Sequence, residues 1–332
     1  MTQKKQTAPM KILITDYDFP DLELEQSLYR NAGIEVVTAQ CRTEADVIAA
    51  AAGCQGLLVQ YAPITAAVFA ARPEIRVVSR YGAGFDTINT ADAKAHGVWV
   101  GNSPDYGVGE VATHAFAMML SLLRHITFYD RDVKAGQWHF SSAGPMRRVS
   151  DMTVGILGLG RIGKRMAHIA RNSFKHVIAC DPYLLDGDFP AYVERVSMEE
   201  LFSRADAISL HVPLNDETRN IVGQPMLQLM KPGSVLVNTA RGPVVDIDAL
   251  LETLDDGRLD GAALDVLPHE PPAVDSRIVQ HPRVLLSPHA AFYSTVAEKE
   301  LRRKAAQNLI DWALKGRPSY VVVEGKQAIE DS

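Results

Sequence analysis

One short segment constrains this chain more than any other. Val154-Gly155-Ile156-Leu157-Gly158-Leu159-Gly160-Arg161-Ile162-Gly163 is an apolar strand running into Gly-x-Gly-x-x-Gly. A helical run, Lys164 to Asn172, follows, and then a second apolar run, Val177 to Cys180, ending on Asp181. That order is the recipe for holding a dinucleotide. Gly158 permits the turn, Gly160 lets the backbone approach a pyrophosphate, and Gly163 lets the helix pack closely on the strand. The helix start presents N–H groups, including those of Arg161 and Ile162, and a positive dipole end to the phosphates. Asp181 stands 18 residues past Gly163 (181 − 163), where a carboxylate can accept from ribose hydroxyls. The same charge repels a 2′-phosphate, so the expected cofactor is NAD rather than NADP.

The rest of the chain supports an α/β protein with parallel sheets. Lys11–Thr15, Ile34–Thr38, Gly56–Val59, Ile75–Ser79 and Val98–Val100 are short apolar strands separated by Ala- and Leu-rich helical stretches. Such alternation indicates a parallel sheet with helices on both faces. A second series runs from Thr153 through 177–180, 207–210, 234–238, 261–264 and 284–286. Turn residues Gly101 to Asp105 separate the two series, and a length of 332 residues suits two domains. From Gly109 to about Lys134 the reading is one long apolar helix, buried in a domain seam or a subunit interface. A last helix spans Ser294 to Leu314.

Composition excludes several classes. The formal charge of −6 carries no basic nucleic-acid footprint. Cys41, Cys54 and Cys180 are scattered, so neither a disulfide framework nor a zinc knuckle is indicated, and no metal is expected. The first ten residues, MTQKKQTAPM, lack the apolar core of a signal peptide, and no membrane-length apolar run occurs. The expectation is a cytoplasmic protein without nucleic-acid or membrane partners.

Three segments after the glycine loop carry reactive side chains. Val237-Asn238-Thr239-Ala240-Arg241-Gly242 puts an arginine past a strand end, the edge where open α/β sheets bind ligands. Its planar fork suits a carboxylate; alone, Arg241 reads equally well as a surface residue in a turn. Ala262 to Val266 places Asp265 at another strand end, with Glu270 five residues on, and Pro288-His289-Ala290-Ala291 places a histidine past a third. A His–Glu pair is an acid–base arrangement in which the carboxylate orients the imidazole. His289 could also be a core histidine, and His269 beside Glu270 could simply be solvated. Arg, Glu and His at strand ends of the nucleotide-binding half favour the catalytic reading.

These segments together resemble the D-isomer-specific 2-hydroxyacid dehydrogenases, and the resemblance extends over nearly the whole chain, including Arg80-Tyr81-Gly82-Ala83-Gly84-Phe85-Asp86. SPDYGVGEVATHA and PHAAFYS are most similar to the C-terminal-binding-protein-like branch. The resemblance implies two Rossmann- or flavodoxin-like domains with a cleft between them. A discontinuous substrate domain (1–102 plus 293–332) would carry an inserted NAD-binding domain (103–292). It implies reversible hydride transfer between NADH and a 2-keto acid. Arg241 would bind carboxylate and carbonyl, His289 would be the acid/base, and Glu270 its partner. Arg80, Tyr81 and Gly82 would contact substrate, with Phe292 as an aromatic wall where the branch often has tryptophan. Ala83, Val212, Pro213, Thr218, Thr239 and Ala240 would line the dinucleotide, and Asp265 would sit on its nicotinamide side. Gln60, Tyr61, Phe292 and Tyr293 would tune substrate choice. Glu270, where formate dehydrogenases of the superfamily have glutamine, argues against formate. A homodimer through the cofactor domain is implied, consistent with the apolar 110–124 stretch. The branch also contains NAD(H)-sensing scaffolds with little turnover, an alternative that the complete Arg241, Glu270 and His289 set disfavours.

Overall fold

In the computed structural model, residues 9–326 are described, so most of the polar N-terminal stretch read for targeting lies outside them. The strands are β1 (Lys11–Ile14), β2 (Glu35–Thr38), β3 (Gly56–Val59), β4 (Val77–Arg80), β5 (Trp99–Gly101), β6 (Thr153–Leu157), β7 (His176–Cys180), β8 (Glu194–Arg195), β9 (Ala207–Leu210), β10 (Ser234–Asn238), β11 (Leu259–Leu264), β12 (Val284–Leu286) and β13 (Val321–Val323). The helices are α1 (Glu23–Asn31), α2 (Glu44–Ala50), α3 (Ala66–Ala71), α4 (Thr90–His96), α5 (Val108–Leu123), α6 (Ile126–Lys134), α7 (Arg161–Ala170), α8 (Met198–Arg204), α9 (Gln224–Leu229), α10 (Ile247–Asp255), α11 (Arg277–Gln280) and α12 (Thr295–Lys315).

The chain divides into two compact units. One comprises the residues up to Tyr106 with those from Ser294 onward; the other is Gly107–Tyr293. The first boundary falls after 106 rather than 102 because Asn102 and Ser103 still bond into the first unit, to Tyr320 O and Gly82 O. The first unit's sheet has the order β2-β1-β3-β4-β5-β13, parallel except for β13, which lies antiparallel on β5. The second unit's sheet is wholly parallel, in the order β8-β7-β6-β9-β10-β11-β12. Its strand order reverses between β6 and β9, whose carboxyl ends flank the position where doubly wound sheets bind ligands.

Parallel sheets need apolar strands because both faces are covered. β10 follows that rule: Val235 and Val237 face one core with Met119 and Met166, while Leu236 faces the other with Leu201 and Leu250. Helix starts are set locally. Thr43–Asp46 and Ser197–Glu200 form reciprocal capping boxes for α2 and α8, Asp246 caps α10, and Ser294 caps α12, which Gly316 ends in the left-handed region.

Three expectations are corrected. The 109–134 stretch is two helices with axes 59° apart, broken where His125 takes φ = 50°. One apolar side of α5 (Ala112, Ala115, Met118, Met119, Leu123) is buried within its own unit, while Val111, Phe116, Ala117 and Leu120 stay partly or fully exposed. The exposed large apolar groups lie further along, at Ile126, Val133, Trp138 and Phe140. β8 and β13 are additional to the strands read from the pattern.

Buried Asp206 ties the start of β6 to β9. Its carboxylate accepts from Thr153 N (2.8 Å), Arg147 Nη1 (2.8 Å) and Lys231 Nζ (3.2 Å). Burial works to raise its pKa, but these donors prevail and hold it below the ordinary carboxylate value. A lowered folded-state pKa stabilises the fold above the unfolded value near ~4, and that stability is lost as pH falls through the folded value. Asp206→Asn should therefore cost roughly 1–3 kcal/mol at neutral pH. The difference from the parent protein should shrink below about pH 4, as read by urea denaturation at pH 7 and pH 3.

Candidate functional site

The glycine loop is shaped by close approaches. A Cβ on Gly158 (φ = 88°) would lie 2.8 Å from the carbonyl of His211, across the reversal between β6 and β9. A Cβ on Gly163 would lie 2.0 Å from Gly158 O, so the first turn of α7 can pack this closely on the loop only with glycine there. Gly160, by contrast, has no atom within 4 Å of where a Cβ would stand, and the backbone there faces open space at the start of α7. Asp181 follows β7, and its Oδ2 accepts from Leu159 N at 2.8 Å while Oδ1 accepts from Tyr183 N at 3.1 Å. The carboxylate is thus pinned beside the loop. A cavity of about 750 Å³ opens there, lined by Gly158, Gly160, Asp181, Tyr183, Val212, Pro213 and Thr218 among others. Thr218 Oγ1 donates to Pro213 O (2.6 Å) and accepts from Asn215 N, so its hydroxyl shapes the cavity wall. His211 lies at the base of the cavity. Burial holds its imidazole down to about 4, and the neutral ring pairs with Ser209 Oγ.

A second set of groups gathers at the carboxyl ends of β10, β11 and β12. His289 Nδ1 stands 2.7 Å from Glu270 Oε2, and Glu270 Oε1 accepts from Leu267 N at 2.8 Å. Burial pushes the Glu270 carboxyl up, but the His289 bond and charge, the Leu267 N–H and the Arg241 charge outweigh it, and Glu270 stays ionised. An ionised carboxylate only accepts, so the Nδ1 hydrogen of His289 points to it and Nε2 is left for a ligand. Arg241 is brought to this pair by a close approach: a Cβ on Gly242 would fall 2.0 Å from the carbonyl carbon of Leu267. Asn238 closes the Arg241 turn, donating to Arg241 O and accepting from Ala240 N.

Asp265 does more than the sequence suggested. Its carboxylate accepts from Ala290 N (2.9 Å), Ala291 N (3.0 Å) and Ser287 Oγ (2.5 Å), and its carbonyl accepts from His289 N. These bonds hold His289 at φ = 53°. His114 on α5 extends the set, with Nε2 2.9 Å from Ser287 Oγ. Ser287 was marked by no sequence motif, and His114 lies in the SPDYGVGEVATHA segment without a role read for it; each matters through a partner far away in the chain.

In the first unit, the 80–86 loop follows β4. Arg80 folds back so that its guanidinium lies against the α-carbon of Gly82. Gly82 O accepts from Ser103 N (2.9 Å) and Ala83 O from Asn102 Nδ2 (2.7 Å). Peptides are planar and trans, so the N–H groups of Ala83 and Gly84 point the opposite way, outward from these anchors. Tyr81 is not placed as a ligand: its N–H donates to Val59 O, and its side chain is buried. Gln60 is also buried, bonded to Asp16 and Asp18, whereas Tyr61, Phe85 and Tyr293 are exposed. Phe292 is partly buried and packs edge-on against Tyr293.

Residues 116–291 match the model of the D-isomer specific 2-hydroxyacid dehydrogenase family, NAD binding domain. The chain belongs to this family. A glyoxylate reductase of Korarchaeum cryptofilum is 37% identical over 253 residues, 75% of this chain and 76% of that one. A D-3-phosphoglycerate dehydrogenase of Bacillus subtilis is 36% identical over 264 residues, 79% of this chain but 50% of its own length. The crystal structure of the D-lactate dehydrogenase of Aquifex aeolicus, complexed with NAD and lactic acid, superposes with a TM-score of 0.84 at 26% identity, over 95% of this chain and 100% of that one.

As a family member, the protein is an oxidoreductase acting on the CH–OH group of 2-hydroxy acids with NAD(P). The second unit fits that cofactor. Gly160 leaves room for phosphate, the cavity of about 750 Å³ beside Asp181 has room for a nucleoside, and the buried Thr239 hydroxyl at the end of β10 has no hydrogen-bond partner among the described residues. A buried hydroxyl without a partner is costly, and a bound ligand would satisfy it. Among the described residues, no group of three or more His, Cys, Asp or Glu side chains is gathered as a metal set.

Asp181→Ala should raise the NADH Kd roughly 10- to 100-fold, the scale of a lost charged hydrogen bond. It should also narrow the preference over NADPH, because the charge that repels a 2′-phosphate is gone. Titration of both cofactors by fluorescence checks this; an unchanged preference would assign ribose reading to another residue.

Proposed function

We propose that this protein is an NADH-dependent reductase of small 2-keto acids, running reversibly with their D-2-hydroxy acids, in which His289 moves the proton and Arg241 holds the carboxylate and carbonyl. The observation that carries this reading is the Glu270–His289 pair at 2.7 Å with the Arg241 charge beside it. When bound, the nicotinamide supplies or accepts the hydride. Arg241 offers a planar fork to the carboxylate and stabilises negative charge developing on the carbonyl oxygen. His289 Nε2 gives that oxygen its proton in reduction and takes it back in oxidation. Glu270 holds the ring by Nδ1 and stabilises it as the proton moves. Asp265 fixes the turn that carries His289. Ala83 and Gly84 supply outward N–H groups for the carboxylate, with Gly82 and Arg80 adjacent, and Phe292 gives an aromatic wall to the substrate's side chain.

His289→Ala should lower kcat about 10²- to 10⁴-fold with NADH affinity unchanged. The check is NADH oxidation at 340 nm on the best substrate from a panel spanning glyoxylate, hydroxypyruvate and aromatic 2-keto acids. Turnover retained by this variant would remove His289 from the mechanism. A parent protein that binds NADH but is silent across the panel would favour a redox-sensing scaffold.

We further propose a homodimer through the cofactor-binding unit. The support is the apolar surface of the 126–146 region, where Trp138 and Phe140 are each 86% exposed. Exposed aromatics in one stretch mark a surface that a partner covers. Trp138→Ser with Phe140→Ser should convert dimer to monomer in light-scattering chromatography.

A further inference from the structure

In the first unit, four side chains from four separate segments form a closed cycle. Arg302, on α12, grips Glu25, on α1, with both ends of its fork: Nε to Oε1 at 2.8 Å and Nη2 to Oε2 at 2.8 Å. Glu25 Oε1 also accepts from the hydroxyl of Tyr81 at 3.0 Å. The Tyr81 ring meets Phe19 edge-on with centroids 5.1 Å apart. Phe19 in turn lies under the Arg302 guanidinium, 4.9 Å from its ring centroid. Glu25 is fully buried, Tyr81 is 2% exposed and Arg302 is 5% exposed.

An ion pair this deep contributes little net stability, because desolvating two charges offsets most of their attraction. Its effect is on geometry. The bidentate fork fixes the carboxylate plane, and the carboxylate fixes the Tyr81 hydroxyl. Tyr81 sits between Arg80 and Gly82, directly before the outward N–H groups of Ala83 and Gly84. The same helix supports the loop by a second line: Asn308 Nδ2 donates to Asn102 O, and Asn102 Nδ2 donates to Ala83 O. Ser103 bridges as well, with Oγ donating to Leu301 O and N–H donating to Gly82 O.

We propose that Tyr81 is a positioning residue, and that the Arg302–Glu25–Tyr81–Phe19 cycle sets the affinity for the substrate carboxylate by holding the 82–84 loop from behind. The proposal rests on the reading of that loop as a carboxylate binder. Tyr81 itself touches neither substrate nor cofactor.

The test is Tyr81→Phe in the full-length protein, which removes one oxygen, keeps the ring on Phe19 and leaves the Glu25–Arg302 pair intact. KM for the best 2-keto acid of the panel should rise roughly five- to tenfold, the size expected for losing one buried hydrogen bond. kcat should stay within about threefold and NADH Kd should change less than KM, since the glycine loop, Asp181 and Thr239 lie in the other unit and Ala83 alone of the expected dinucleotide residues belongs to this loop. Arg302→Lys keeps the charge but loses the fork, and should raise KM in the same direction. An unchanged KM in both variants, with or without a lowered melting temperature, would show a merely structural cycle and overturn the proposal. Loss of kcat at unchanged KM would overturn it as well. A parent protein inert on every keto acid would overturn the loop reading itself, a result distinct from a parent that turns over normally and a variant that matches it.

Discussion

The chemistry at the strand ends of the second unit depends on one buried carboxylate, that of Asp265. A β-branch-free but bulky residue such as histidine adopts positive φ only under constraint, at a cost on the order of 1–3 kcal/mol. His289 does so because Asp265 engages the two residues that follow it through their N–H groups, and Ser287 on the other side. The carboxylate in turn tolerates burial because charge-assisted donors replace its water. Two acids thus divide the work: Asp265 fixes where the main chain carries the imidazole, and Glu270 fixes how the ring turns. Asn238 joins this to the arginine. Its carbonyl accepts from Asp265 N and its side chain closes the Arg241 turn, so the turns that carry His289 and Arg241 are linked through the end of β11.

The two ends of this unit are built on opposite electrostatic terms. At the nucleotide end, a fixed anion, Asp181, stands beside N–H groups of a helix start, and His211 is kept neutral by burial. That combination suits hydroxyls and a pyrophosphate, and Arg195, which also lines the cavity, is paired with Asp186. At the carboxyl ends of β10 to β12, the Arg241 charge and the His289 ring face an ionised Glu270. The protein's overall charge of −6 therefore says little about its ligand; the local arrangement of a few groups decides what binds.

What the sequence made legible follows from range. The glycine loop, Asp181, Arg241, Glu270 and His289 could be read because each needs a residue type at a strand end, within a few residues of the signal. The parallel strands were legible for the same reason. The break at His125 was not, because apolar periodicity continues through it and only a backbone torsion interrupts the helix. Asp265 was placed on the nicotinamide side, and its hold on the 287–291 turn was not foreseen. His114 and Ser287 are 173 residues apart, and Arg302 and Glu25 are 277 apart. No local pattern encodes such closures. Tyr81 shows the effect most clearly: its place in the 80–86 motif suggested a ligand, and a glutamate 56 residues away takes its hydroxyl instead.

The distribution of these long closures carries its own argument. The glycine loop and Asp181 lie in one continuous stretch, Gly107–Tyr293, and their contacts close within it. The 80–86 loop is different. Its carbonyls rest on Asn102 and Ser103, and its tyrosine rests on α1, but each of those supports leads to α12, from the far end of the chain. The unit that holds this loop is completed only when the chain returns after the cofactor-binding stretch. Because a buried Arg–Glu pair could be exchanged for apolar side chains at little cost in stability, its presence behind the loop is better explained by the orientation it imposes than by the fold it stabilises. On the reading proposed for the 82–84 loop, the last helix supports that loop from behind, although none of its residues lies in the 80–86 motif.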